Sequence, residues 1–278
     1  MARPLRLLVA DGHYHVTARS WDRSPLYRGD ADRLQFLGQL RHAVGRFDWR
    51  CLAYCLMDNH FHLVLRTPLA NLPRGMQRLN SGYAQWFNRQ RERKGPVFED
   101  RYHAELIQRD AHLLEVYRYV ALNPVRAGVC RDPCEYRWSS HRAIAGHAEA
   151  PGHLSVSEAH AVFAAATGMD GVQAYREFVA AFSDAAPRGG PVFGDERFVR
   201  DALRDVSRHP EVPRRDWGAG RPPLSELLGA SGAGADLSKA YRTHGYTMTS
   251  LAQHLGRHVS TVSRRIAAHE RDMLDCKI

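Results

Sequence analysis

The chain has 278 residues, enough for about two domains on the usual length relation. Its 39 Lys and Arg outnumber 30 Asp and Glu, a formal charge of +9, so nucleic acid is the commonest partner for such a chain and an acidic membrane surface the other fit. The N-terminal run Leu7-Leu8-Val9-Ala10 is too short for a signal-peptide core, and no stretch approaches a membrane span, so the expectation is a cytoplasmic protein with no membrane partner and reduced thiols.

The first predicted strand is Tyr14 to Arg19, where Tyr14, Val16 and Ala18 alternate with His15, Thr17 and Arg19. Asp30 can cap a helix to about Phe47, with Leu34, Leu37, Leu40 and Val44 as its apolar stripe. Trp49 to Leu56 reads as a second strand, Met57-Asp58-Asn59 as a turn, and His60 to Arg66 as a third strand. A helix is expected from about Arg74 to Arg91, with Met76, Leu79, Tyr83 and Phe87 on one face, broken by Gly95-Pro96. Val97 to Ile107 supplies a fourth strand. Asp110 then caps a helix that should stop near Asn123, because Pro124 disfavours a helical residue before it. The order β-α-β-β-α-β predicts an α+β, ferredoxin-like sheet with the His60 strand central.

Residues 133–147 read as a loop and cover. Ser155 to Ala186 is helical in pattern, with Phe163, Tyr175, Phe178 and Phe182 among the core candidates. Linker-like stretches follow at 186–191, 209–223 and 229–235. In the tail, Thr249 can cap Ser250 to Leu255, Gly256 breaks the helix, and Ser260 caps a second one through His269. Ala252, Gly256 and Val262 fall where a helix-turn-helix needs a small residue, a turn and a core filler. Its second helix would present Ser260, Thr261, Ser263, Arg264 and Arg265 to a major groove. The expected domains are 1–145, a helical and linker region 146–236, and an all-α helix-turn-helix domain 237–278.

Within Asn59-His60-Phe61-His62-Leu63-Val64-Leu65, the two histidines project to one side of a strand and Phe61 to the other. Two neutral imidazoles make half a metal site. The helix ending near Asn123 offers the rest. Tyr119 and Asn123 are four residues apart and share a face, whereas Tyr117 is rotated roughly 200° from Tyr119. Asn123 would complete a His-His-amide set, and Tyr119 would stand near a phosphate bound there. His13-Tyr14-His15 is a rival His-x-His pair, and its other reading is a pair of hydrogen-bonded strand histidines. Cys51/Cys55 and Cys130/Cys134 have a spacing that zinc sites seldom use, and on a strand the first pair would lie roughly 13 Å apart, too far to share one metal.

The segment Met57-Asp58-Asn59-His60-Phe61-His62-Leu63-Val64-Leu65 resembles the single-tyrosine HUH transposases, and Tyr119-Val120-Ala121-Leu122-Asn123-Pro124-Val125-Arg126-Ala127-Gly128 resembles their tyrosine-helix motif. Gly12-His13-Tyr14-His15-Val16-Thr17, Val97-Phe98-Glu99-Asp100-Arg101-Tyr102 and Trp138-Ser139-Ser140 are similar as well, and together they resemble the branch of REP-associated tyrosine transposases. Asp58 departs from the proline common in that turn. The tail is similar to the helix-turn-helix at the C-terminus of the replication initiator DnaA.

The resemblance implies a ferredoxin-like catalytic domain, often dimeric, that cuts single-stranded hairpin DNA through a 5′-phosphotyrosine and releases a 3′-OH. It implies His60 and His62 as ligands of a divalent metal (Mg or Mn), Asn123 as third ligand and Tyr119 as nucleophile. Arg66, Arg101, Arg118 and Arg126 are the nearby cations expected to hold DNA phosphates. Tyr102, Trp86 and Trp138 are candidates for base stacking. The rival reading is a catalytically silent DNA-binding regulator derived from a transposase. A replication or mobilisation initiator would share the chemistry, but the chain has no G-x4-G-K-[ST] phosphate loop.

Overall fold

The computed structural model describes residues 7–109, 111–181, 191–204, 224–228, 233, 236–237, 240–241, 246 and 248–275. Residues 8–193 form one compact unit and the residues from 194 onward belong to another. Among the described residues no helix is long and apolar enough to cross a membrane.

The first unit is α+β. Its strands are β1 (Gly12–Arg19), β2 (Arg50–Leu56), β3 (His60–Thr67), β4 (His103–Ile107) and the short β5 (Val192–Phe193), in the sheet order β2-β3-β1-β4-β5. The first four pair antiparallel, and β5 adds parallel to β4. Helix α1 (Asp30–Phe47) links β1 to β2, α2 (Leu72–Gln90) links β3 to β4, and α3 (Ala111–Arg126) follows β4. The histidine strand β3 lies between β2 and β1, so neither of its edges is free.

Phe61 turns to the sheet face opposite the histidines. There it meets Phe36 with ring centroids 4.7 Å apart, and Phe36 meets Tyr83 at 5.3 Å. Burying each such ring is worth about 1.5–3 kcal/mol, which holds α1 and α2 to this face. Of the expected stripe Leu40 is buried, but the cluster turns Phe36 inward in place of Leu34. The buried residues of α1 are Asp32, Phe36, Leu40 and Ala43, while Leu34 is exposed. Asp32 is tolerated inside because the Arg91 guanidinium and the Arg28 backbone N–H donate to it. Asp30 is the first helical residue rather than the cap, a position held by Gly29. In α2 the expected Met76, Leu79, Tyr83 and Phe87 are all buried. Gly75 joins them because the Trp49 ring lies where a Cβ would be, 2.0 Å from it.

Two expected boundaries move. The fourth strand is shorter than Val97 to Ile107; residues 97–102 lie outside it, joined to the sheet through a single bridge between Ser20 and Phe98. Helix α3 runs through Pro124 to Arg126, with Pro124 itself buried. The ring costs one backbone hydrogen bond, to the Val120 carbonyl, but burial of Val120, Ala121, Leu122 and Pro124 offsets it, and the Ala127 N–H still reaches the Asn123 carbonyl. The expected cap Asp110 lies outside the described residues.

Residues 133–147, expected as a loop and cover, lie along the β2 edge through backbone bonds Leu56 N–H to Trp138 O and Ser140 N–H to Tyr54 O. This segment includes the short helix α4 (His141–Ile144). The helical stretch expected from 155 is two helices, α5 (Val156–Thr167) and α6 (Gly171–Ala180). Gly168 ends α5 at φ +73°, and the Asp170 carboxylate caps α6 by accepting from the Val172 and Gln173 N–H groups. Phe163 packs on Tyr117 of α3 at 5.4 Å and on Tyr175 at 5.2 Å, which ties these helices to the catalytic-candidate helix.

In the second unit, α7 (Glu196–Arg204), α8 (Leu224–Leu227), α9 (Met248–His254) and α10 (Val259–Asp275) are described. Leu228, Leu237, Ala240, Tyr246, Leu251, Ala252, Val262 and Ile266 form its apolar core. Gly256 makes the turn between α9 and α10 at φ +59°. Thr249 and Ser260 are not caps, since each lies within its helix; the His258 imidazole instead accepts from the Ser260 N–H. Most of the expected linkers, and Phe182, fall outside the described residues.

Candidate active site

Strand β3 puts His60 and His62 on one face with ring centroids 5.0 Å apart. Helix α3 crosses that face, and its half-buried Tyr119 meets His62 edge to face at 5.5 Å. Asn123, one turn on, is buried beside His60. The four residues singled out from sequence therefore converge. Tyr117 points the other way, 1% exposed against Phe163, and burial pushes its phenol well above the usual range.

Burial is also the main cause that lowers His60 to about 4 and His62 well below 6.5, with Arg19 adding in both cases. Both imidazoles are thus neutral near pH 7, the form that binds a metal. The His60 Nδ1–H donates to Asn59 Oδ1 at 2.7 Å, which leaves Nε2 with its lone pair. The Nε2 of His62 is buried and has no hydrogen-bond partner. An orphaned buried nitrogen beside a second neutral imidazole and an amide fits a divalent ion. Among the described residues no cluster of three His, Cys, Asp or Glu could hold a metal, so an ion here would need the Asn123 amide or water as well.

The turn before β3 is anchored without proline. The Asp58 carbonyl accepts from the Leu26 and Tyr27 N–H groups, and its carboxylate from Arg33 at 2.6 Å.

One neighbour escaped the sequence reading. His15 on β1 sits beside His62, with Nε2 and Nδ1 2.9 Å apart, and meets Tyr119 at 5.7 Å. The rival His-x-His motif thus contributes one member to the same cleft. Its signal was present in the alternation of β1, but only the register, with Thr17 opposite His62, brings it there. Glu105 of β4, opposite His15, completes the floor.

The four arginines divide. Arg101 lines the cleft and is exposed. The Arg126 guanidinium lies 5.1 Å from the centre of the Tyr119 ring. Arg66 is engaged by two carboxylates, Asp11 at 2.7 Å and Glu158 at 2.6 Å. Arg118 is 7% exposed, paired with Glu115, and donates to the Phe178 and Ala181 carbonyls. Its charge is spent on joining α3 to α6, a role that phosphate binding does not fit. Exposed Arg19, which sequence reasoning passed over, lines the cleft instead. Of the stacking candidates, Tyr102 and Trp138 are buried, the latter beneath the Arg33 and Arg137 guanidiniums, and Trp86 is half-buried. In the second unit Ser260, Ser263, Arg264 and Arg265 are exposed along α10, and Thr261 is half-buried.

Residues 8–123 match the family profile described as "Transposase IS200 like". The match spans β1 to Asn123 and includes every residue of the cleft named above apart from Arg126. Among solved structures, that of a REP-associated tyrosine transposase bound to a REP hairpin is similar over 56% of this chain and 92% of its own, at 13% identity and a TM-score of 0.48. No curated protein matches the chain.

Proposed function

We propose that residues 8–193 form a single-tyrosine HUH transposase, a metal-dependent nuclease and strand transferase for single-stranded hairpin DNA. The observation that carries this reading is the meeting of Tyr119 with His60, His62 and Asn123 on one sheet face. The family match over residues 8–123 supports it. The antiparallel order β2-β3-β1-β4 and the β-α-β-β-α-β sequence are what a ferredoxin-like core requires.

His60, His62 and Asn123 would hold the ion, Mg²⁺ or Mn²⁺, which when bound would polarise the scissile phosphate and neutralise developing charge. The chain's own residues do the rest. The Tyr119 phenol oxygen attacks phosphorus, forming a Tyr–O–P bond as the bond from phosphorus to the 3′ oxygen breaks. The phenolic proton is given up and the departing oxygen takes one up as 3′-OH. One phosphoester replaces another, so attack by a second 3′-OH can reverse the step and join strands without a nucleoside triphosphate. Arg126, Arg101 and Arg19 supply positive charge along the path of the strand. In the second unit, Ser260, Thr261, Ser263, Arg264 and Arg265 on α10 would read duplex DNA as the second helix of a helix-turn-helix, and the active species is a homodimer.

The test is nicking of labelled hairpin oligonucleotides with Mn²⁺, by wild type and Tyr119→Phe. Cleavage by the wild type alone supports the enzyme. Equal cleavage by both removes Tyr119 as nucleophile, and duplex binding with no cleavage by either favours the regulator.

A further inference from the structure

We propose that His15 and Glu105 are positioning residues that fix the tautomer of His62, keeping its Nε2 lone pair free for the ion. The inference rests on the metal reading of His60 and His62. The His15 and His62 rings are within 7° of parallel, yet their centroids are 5.2 Å apart while Nε2 and Nδ1 approach to 2.9 Å. Such separations put the rings edge to edge in nearly one plane. This is the geometry of an N–H···N hydrogen bond and not of face stacking.

An N–H···N bond between the two rings has one donor and one acceptor, so two arrangements exist. In the first, His15 Nε2–H donates to His62 Nδ1. The His62 proton then sits on Nε2, a buried position with no acceptor, and the His15 Nδ1 lone pair faces the Glu105 carboxylate 3.8 Å away. Both consequences are unfavourable. In the second, His62 Nδ1–H donates to His15 Nε2. His15 then carries its proton on Nδ1, toward Glu105, and His62 Nε2 is a lone pair with nothing to satisfy but a cation.

Glu105 reinforces the choice. It is 1% exposed, and its Oε1 has no hydrogen-bond partner, so His15 is the donor its other oxygen faces. A carboxylate–imidazole–imidazole line behind a metal-binding nitrogen orients the ring and fixes its proton. Asn59 does the same for His60 through the His60 Nδ1–H. The two candidate ligands thus present the same nitrogen, each set by a different neighbour.

The experiment uses the full chain, ¹⁵N-labelled and metal-free, with long-range ¹H–¹⁵N imidazole spectra to read the His62 tautomer. Mn²⁺ titrations of wild type, His15→Ala, His15→Gln and Glu105→Gln follow. We expect Nδ1–H His62 in the wild type, a mixture in His15→Ala, and Mn²⁺ affinity lower by about 10–100-fold in His15→Ala and Glu105→Gln. His15→Gln, whose amide oxygen still accepts from His62 Nδ1–H, should recover most of the affinity. An Nε2–H tautomer in the wild type, or unchanged Mn²⁺ affinity in both His15→Ala and Glu105→Gln, overturns the positioning role alone. If wild type binds Mn²⁺ no better than a His60→Ala/His62→Ala chain, the metal reading falls, and the purpose assigned to the pair falls with it.

Discussion

The His62 imidazole and the Tyr119 phenol lie edge to face, 5.5 Å between ring centroids and 82° between planes. One is fixed on the central strand β3 and the other on a helix packed across it, so neither can move far without unpacking the unit. This contact brings the candidate nucleophile and ligand pair together before any DNA arrives.

Removing only the Tyr119 hydroxyl should therefore leave the fold intact. Tyr119→Phe keeps the ring on His62 and His15 but has no oxygen for phosphorus. Hairpin cleavage should fall by at least about 10³-fold while hairpin binding and thermal stability stay near wild type. Tyr117→Phe is the contrast, since that ring lies in the core against Phe163, and cleavage should survive it.

Arg118 and Arg126 share a helix but not a task. Arg118→Ala leaves Glu115 and two carbonyls without their donor and should cost about 1–3 kcal/mol in urea unfolding. It should leave the salt dependence of DNA binding unchanged. Arg126→Ala should weaken hairpin binding and reduce the salt slope by about 1, the mark of one lost phosphate contact. Exchanged phenotypes would mean that the arginines have been assigned the wrong way round.

The site was legible in sequence because its parts are local patterns. A two-residue period on β3 and a four-residue spacing on α3 each put their pair on one face, and those periods survive folding. His15 was not legible as part of the cleft. Its placement depends on the register between β1 and β3, a non-local quantity that alternation alone leaves open. The choice between Leu34 and Phe36 on α1 is hidden from the sequence for a related reason. Leu34 and Phe36 are both apolar, and only the aromatic neighbours Phe61 and Tyr83 select Phe36 for the interior. Pro124 reads as a stop because local backbone rules take no account of the burial that carries α3 past it.

Gly75 gives a test of packing far from the chemistry. A methyl group there would collide with the Trp49 ring, whose Nε1–H is held by Asn71 Oδ1 at 2.7 Å and so cannot swing away freely. Gly75→Ala should destabilise the unit by about 1–3 kcal/mol in chemical denaturation, with no direct change in the cleft. A stability equal to wild type would contradict the placement of α2 against Trp49.

Stability should also depend on pH through buried histidines. Burial lowers His141 from 6.5 to about 4, and its Nδ1 lies 2.9 Å from the Tyr175 hydroxyl. Between those two values the unfolded chain holds the proton and the folded chain does not. The His141 contribution is therefore full above about pH 6.5, is lost as pH falls through the window, and is constant below about 4. The His141 share is at most about 3 kcal/mol. His60 and His62 shift in the same direction, so the whole decline is larger. Urea midpoints taken across this range should change less steeply for His141→Gln than for wild type; parallel profiles would remove His141 as a contributor.

The most direct measurement is to capture the covalent step. Full-length protein is incubated with Mn²⁺ and single-stranded hairpins from the flanks of its own gene, and an SDS-resistant protein–DNA adduct is mapped by mass spectrometry. The expected product is a 5′-phosphate ester on Tyr119, absent in Tyr119→Phe and in His60→Ala. An adduct on any other residue, or one that forms equally well with His60→Ala, would contradict it.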